Sequence, residues 1–215
     1  MQQILVYGDS LTWGIIPDTR QRLPFERRWP GVLEQHLNRR GRQVRVIENC
    51  LNGRRTVWDD PFKPGRNGAE GLAQVIEMHS PLQLVILMLG SNDFQSTHDN
   101  NAWLSAQGSE RLIRSIRQAP IEPGMPIPEI LLVAPPRITA PKGVIAPKFE
   151  GAEHRCPGLS EALEAVAEAL STGFFDANRV IASSSVDGIH LEEASHRILG
   201  EALAEELQNG PGNLT

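Results

Sequence analysis

Leu82-Gln83-Leu84-Val85-Ile86-Leu87-Met88-Leu89 runs without a break into Gly90-Ser91-Asn92-Asp93. From Leu84 to Leu89 no polar residue interrupts the run, and Pro81 and Gly90 bound it. An apolar segment of this length with no alternation is a strand covered on both faces, which places it in the middle of a parallel sheet. Working outward, short β-type runs alternate with helical patterns. Towards the N-terminus lie a helix over Gly71 to Met78, a strand over Val44 to Ile47, a helix over Trp29 to Arg40 and a first strand over Ile4 to Tyr7. In the second of these helices Val32, Leu33, His36 and Leu37 share one face, and Gly41 provides the stop. Towards the C-terminus come a helix over Ala102 to Ala119, a Pro-rich break, a strand over Ile130 to Ala134 and an amphipathic helix over Leu159 to Leu170. A short fifth strand at Phe174-Phe175 and a last helix over Leu191 to Leu207 follow. Strands joined by helices make right-handed crossovers, so the expectation is an α/β chain with a five-stranded parallel sheet between two helical layers.

Such sheets carry their sites beyond the carboxyl ends of the strands. Gly8-Asp9-Ser10-Leu11 follows the first strand, Asn52-Gly53 the second and Gly90-Ser91-Asn92-Asp93 the third, while Asp187-Gly188-Ile189-His190 precedes the last helix. The polar and Gly-rich clusters therefore fall on one rim. A hydroxyl nucleophile needs a base, an acid that orients the base, and donors for the oxyanion. Ser10 can be that nucleophile or a helix cap. Asp187 and His190, three residues apart, can be acid and base, or Asp187 can cap a helix opening near Leu191. Asn92, Gly53 and the Ser10 N–H can supply three donors, although Gly, Ser and Asn also dominate ordinary turns.

Composition narrows the classes. The 215 residues fit one domain over 1–208, with a polar tail from Asn209 to Thr215 expected to fray. A net charge of -5 offers nothing to phosphate backbones or anionic lipid, so neither a nucleic-acid nor a membrane partner is expected. The N-terminus lacks the basic start of a signal peptide, and no run approaches the ~18 apolar residues of a membrane span, which points to the cytoplasm. Cys50 and Cys156 match no metal-ligand spacing and are expected as free thiols. G-x-G-x-x-G, Walker and G-x-S-x-G patterns are absent, so no metal or organic cofactor is expected.

Gly8-Asp9-Ser10-Leu11, Gly53, Gly90-Ser91-Asn92-Asp93 and Asp187-Gly188-Ile189-His190 resemble the four blocks of the GDSL, or SGNH, hydrolase family, and the resemblance spans nearly the whole chain. The second block, Asn49-Cys50-Leu51-Asn52-Gly53-Arg54, is the loosest match. More narrowly, Gly8-Asp9-Ser10-Leu11-Thr12-Trp13-Gly14, Asp59-Asp60-Pro61 and Phe149-Glu150-Gly151 resemble the bacterial arylesterase and acyltransferase branch. The resemblance implies a three-layer α/β/α flavodoxin-like fold, Ser10 as nucleophile, His190 as base, Asp187 as orienting acid, and Ser10, Gly53 and Asn92 as oxyanion donors. It also implies a small-molecule ester substrate, acyl transfer to alcohols beside hydrolysis, and a homo-oligomer.

Trp13 and Ile189 flank Ser10 and His190 in sequence and are expected to wall an acyl pocket for acetyl or similarly short chains, with core packing as the alternative for Trp13. Arg54 and Arg55 lie on the rim, where they could meet an anionic group, but the expectation is that they are solvated. The aperiodic segment from Arg137 to Cys156, with Pro141 and Pro147, is expected to be a functional excursion. The leading activity is a serine esterase acting through an acyl-enzyme. A carbohydrate or natural-product deacetylase, a thioesterase or lysophospholipase, and a non-catalytic binding protein are its rivals.

Overall fold

The computed structural model describes residues 1–209. Five strands, β1 (Gln2–Gly8), β2 (Val44–Cys50), β3 (Leu84–Met88), β4 (Glu129–Ala134) and β5 (Gly173–Asp176), form one sheet in the order β2-β1-β3-β4-β5. Every neighbouring pair is parallel. Because β1 is paired on both sides, its backbone ladder reaches from Gln2 opposite Val44 to Gly8 opposite Cys50. That ladder recruits polar Gln2, Gln3, Glu48 and Asn49 into strands, so β1 and β2 run longer than their apolar runs indicate.

Pleating divides each central strand between two cores. Ile4 and Val6 of β1, with Leu84, Ile86 and Met88 of β3, face Trp29, Leu33 and Leu37 of α2 (Trp29–Arg39) and Leu199, Leu203 and Leu207 of the last helix, Glu193–Asn209. Leu5, Tyr7, Val85 and Leu87 face the opposite layer. That layer is built by α3 (Leu72–His79), α4 (Ala102–Arg117) and α6 (Leu159–Ala169). Burying each such Leu or Ile contributes about 1.5–3 kcal/mol, which is why β3 carries no polar residue.

Two very short helices complete the set: α1 (Ser10–Trp13) directly after β1, and α5 (Ala152–Arg155). The last helix, α7, begins at Glu193, two residues later than its apolar pattern indicates. Asn209 closes it, and the remainder of the expected tail lies outside the described residues. The excursion after β4 folds into a 3₁₀ turn over Gly143–Phe149 followed by α5. Among the described residues no helix is long and apolar enough to cross a membrane, and Cys50 and Cys156 are free.

In this strand order the chain reverses direction across the sheet between β1 and β3. The loops leaving their carboxyl ends diverge there and open a crevice.

Candidate active site

Ser10 is the first residue of α1, and Asp9 caps that helix by accepting from the Leu11 N–H at 2.9 Å. Of the two sequence-level readings of Ser10, the cap thus belongs to its neighbour, and the Ser10 hydroxyl is left for the crevice. Gly8 is required there by close approach: a Cβ would lie 2.3 Å from Thr12 Oγ1 and 3.4 Å from the Met88 carbonyl oxygen.

His190 comes from the opposite end of the chain. Its Nδ1 lies 2.7 Å from Asp187 Oδ2 and its Nε2 lies 3.1 Å from Ser10 Oγ. With the proton on Nδ1 donated to Asp187, Nε2 accepts from the serine hydroxyl. Asp187 does not cap α7. Its Oδ1 accepts from the Ile189 and His190 N–H groups at 3.0 and 2.9 Å, which fixes the turn that presents the imidazole. Burial by itself raises the Asp187 carboxyl, but the hydrogen bond and charge of His190 and the two N–H donors outweigh it and hold it at about 2. Asp187 is therefore ionised at neutral pH.

Asn92 opens a 3₁₀ turn, Ser91–Phe94, just beyond β3. Its Nδ2 donates to Asp9 Oδ2 at 2.8 Å, and its Oδ1 accepts from Gln95 Nε2 at 2.6 Å. The amide is held at both ends with its second Nδ2 hydrogen free for the crevice. Neither the Ser10 nor the Gly53 N–H has a protein acceptor among the described residues. Burial pushes the Asp9 carboxyl up to about 6, against the Leu11 N–H, the His190 charge, the Asn92 amide and Arg54.

Ser10, Gly53, Asn92, Asp187 and His190 all line one cavity of about 330 Å³. Segments separated by up to 180 residues thus converge on the Ser10 hydroxyl, with His190, an ionised Asp187 and three unspent donors around it. Such a set is chemically able to carry acyl transfer through a serine.

Comparison with known proteins agrees. Residues 6–198 match the model of the GDSL-like lipase/acylhydrolase family. The chain belongs to that family. An inhibitor-bound aryl esterase from M. smegmatis is 38% identical, with a TM-score of 0.90 over 97% of this chain and 99% of that one. A carbohydrate acetylesterase from Sinorhizobium meliloti is 33% identical, with a TM-score of 0.89 over 96% and 98% of the two chains. An arylesterase from Vibrio mimicus is 34% identical over 92 residues, a stretch spanning 43% of this chain and 38% of that protein.

Within this GDSL-like site several residues sit differently from their sequence reading. Trp13 is not among the cavity's lining residues. Its ring lies beneath the Arg22 guanidinium at 4.6 Å, because Arg22 Nε donates to its carbonyl. Ile189 is buried in the core cluster that includes Leu5, Tyr7, Val85 and Leu87 and is not among the residues that line the cavity. The apolar wall is instead Ile15 with Val144, Ile145 and Phe149, three residues of the aperiodic excursion.

Arg54 and Arg55 are not solvated, being 8% and 0% exposed. Arg54 donates to the Gly8 and Asn49 carbonyls, and its guanidinium lies 3.9 Å from the Tyr7 ring centroid, tying the ends of β1 and β2 together beneath Gly53. Arg55 donates to Gln95 Oε1 at 2.6 Å, to Thr97 Oγ1 and to the Asp59 carbonyl. Donors thus run in one direction, from Arg55 through Gln95 and Asn92 to Asp9. Asp93 anchors the same turn from below, accepting from the Thr56 N–H, Thr56 Oγ1 and Ser105 Oγ, and burial pushes its carboxyl up to about 6. Gln95 and Arg55 escape sequence reading because nothing in their spacing indicates a partner. Asp9 and Asp93 stand inside the quoted blocks.

Proposed function

We propose that this chain is a serine esterase that hydrolyses short-chain acyl esters, aryl acetates among them, through a covalent acyl-enzyme. The observation carrying this is the 3.1 Å contact between His190 Nε2 and Ser10 Oγ, with Nδ1 anchored on Asp187 at 2.7 Å. His190 takes the hydroxyl proton as Ser10 Oγ attacks the ester carbonyl carbon. The resulting oxyanion is held by the N–H groups of Ser10 and Gly53 and the free Nδ2 hydrogen of Asn92. Collapse breaks the bond to the leaving oxygen, which receives the proton from His190. Water then adds to the acyl-enzyme with the same base, and Ser10 is regenerated.

A cavity of about 330 Å³ closed by Phe149 and Ile145 suits a small acyl group with an aryl or alkyl alcohol portion. The M. smegmatis and Vibrio mimicus relatives, both described as arylesterases, support the aryl preference. The S. meliloti neighbour, described as a carbohydrate acetylesterase, supports acetylated sugars as a second substrate class for the same machinery. Acyl transfer to alcohols follows if an alcohol replaces water in the second step. Assembly of several copies belongs to this proposal too, and the exposed side chains of Phe62 and Val144 offer apolar surface for it.

Ser10→Ala should lower turnover of p-nitrophenyl acetate by at least about 10³-fold with an unchanged circular dichroism spectrum, and wild type should cleave acetate faster than octanoate. Undiminished turnover in the variant refutes the function, and an octanoate preference refutes the short-chain assignment.

A further inference from the structure

Three cations, Arg20, Lys63 and Lys148, line the same cavity as Ser10. Arg20 is exposed, Lys63 is half-buried and the Lys148 side chain is 44% exposed, whereas Ser10, Asn92 and His190 are buried. The reacting groups therefore form the floor of the cavity and the cations its mouth. Lys148 Nζ lies 3.9 Å from where a Cβ on Gly53 would stand, so the positive rim reaches the oxyanion turn itself. Arg66 adds a fourth cation nearby, its guanidinium donating, among the described residues, to the Asn52 and Pro64 carbonyls.

The nearby carboxylates do not balance this group. Asp187 is committed to His190 and to the N–H groups of its own turn. Asp60 is shared between Arg55 at 3.6 Å and Lys148 at 3.8 Å and also accepts from the Phe62 N–H. The Asp18 carboxylate also lines the cavity, lying against Gly143 and making no ion pair among the described residues, so it offsets at most one of these charges. Among the described residues Arg20, Lys63 and Arg66 have no ion-pair partner. Burial, then the charges of Arg66 and Arg20, lower the Lys63 ammonium below its ordinary range. Burial lowers Lys148 as well, with Asp60 opposing and Arg55, Lys63 and Arg66 adding to the shift. Gathering like charges around one opening is unfavourable, and in a chain of net charge -5 it is also against the average. A bound anion relieves that repulsion. Low-dielectric walls of Ile15, Ile145 and Phe149 concentrate the field along the cavity and suit an apolar spacer between anion and ester.

We propose that the ester accepted here carries an anionic group, a carboxylate or sulfate, on the part remote from the scissile carbonyl, held at the mouth by Arg20, Lys63 and Lys148. The assignment rests on the serine-esterase function proposed above and adds a substrate class to it. Arg54 and Arg55, cations of the same rim by sequence, cannot serve because their guanidinium groups are spent inside the fold.

The test compares phenyl acetate with its 4-carboxymethyl and 4-(trimethylammonio)methyl derivatives, each kcat/KM divided by the hydroxide-catalysed rate of that ester. At low ionic strength the wild type should favour the anionic over the neutral ester by more than threefold, and by about tenfold if the cleft focuses charge as such clefts do. The cationic ester should be the poorest, and the spread should shrink as salt is added. In the Arg20→Gln/Lys63→Gln double variant the anionic-to-neutral ratio should fall to about one. A wild-type ratio of threefold or less, or a larger ratio that survives in the double variant, overturns the proposal. Failure to turn over any of the three esters instead overturns the esterase function, and this assignment with it.

Discussion

Asn92 shows how little freedom a single side chain at this site retains. Asp9 holds its nitrogen and Gln95 its oxygen, and Gln95 is held in turn by Arg55. Asn92→Ala should therefore cost about 10²–10³-fold in kcat, as removal of an oxyanion donor does. Gln95→Leu keeps the donor but frees its carbonyl end, so Gln95 is a positioning residue. Its loss should lower kcat by about tenfold to a hundredfold with KM nearly unchanged, and Gln95→Glu, which keeps an acceptor for Arg55, should not restore the missing donor. Steady-state kinetics on p-nitrophenyl acetate check the split; a rise in KM alone would show that Gln95 serves binding. The convergence of Ser10, Asn92, Asp187 and His190 on one cavity was legible because each stands where a strand or turn ends in small polar residues. Arg54 and Arg55 were not, because an arginine's burial depends on carbonyls and a ring contributed by distant residues, here Gly8, Tyr7 and Gln95.

At the scale of elements, the turn over residues 184–190 carries His190, the proposed base, and its shape depends on Gly188. Gly188 has φ +80°, and a Cβ there would lie 2.5 Å from the Ala140 carbonyl oxygen. The 139–142 segment straps this turn: the Thr139 N–H donates to the Gly188 carbonyl and the Lys142 N–H to that of Asp187. Gly188→Ala must open the strap, so a loss of about 1–3 kcal/mol in stability together with at least tenfold in kcat is expected, read by thermal unfolding and by turnover. Across the molecule, α2 and α7 meet over His196, whose Nδ1 accepts from the Trp29 N–H at 3.3 Å. Burial, then the charges of Arg28 and His190, hold this imidazole down at about 3, below its ordinary 6.5. The folded state refuses a proton that the unfolded chain takes up, so stability is lost as pH falls from about 6.5 towards 3. The full effect is roughly 4–5 kcal/mol at the acid end of that window. Asp9 and Asp93, raised to about 6, act in the opposite sense, gaining stability as they protonate on acidification. The comparison that isolates His196 is therefore His196→Gln against wild type: the melting temperature of the variant should fall less between pH 7 and pH 4. Equal slopes would contradict the assignment of a buried neutral imidazole. Asp187 contributes separately: with its folded value near 2 against an ordinary 3.8, its pairing is complete above about pH 4 and lost only as pH falls towards 2.

At the scale of the molecule, the five-stranded parallel sheet was legible because β3 and β1 must be apolar on both faces to be covered by two helical layers, a constraint written directly into Leu84–Met88. Strand ends were less legible, since backbone pairing carries β1 and β2 past their apolar runs into Gln2, Glu48 and Asn49. The cavity wall was misplaced for a similar reason. Val144, Ile145 and Phe149 lie in a 3₁₀ turn interrupted by Pro147, too short for any period to announce, and only tertiary contact with the rim gives them a face. Sequence neighbours such as Trp13 and Ile189 looked closer to the chemistry than they are. What joins these scales is the meeting of Ser10 with His190 across 180 residues of chain. Treatment with a fluorophosphonate, followed by peptide mass mapping, tests that meeting most directly. A single adduct on Ser10 is expected in wild type, formed at least about 10²-fold more slowly in His190→Ala, because the hydroxyl then lacks its base. An adduct on another residue, or equal labelling with and without His190, would contradict the account.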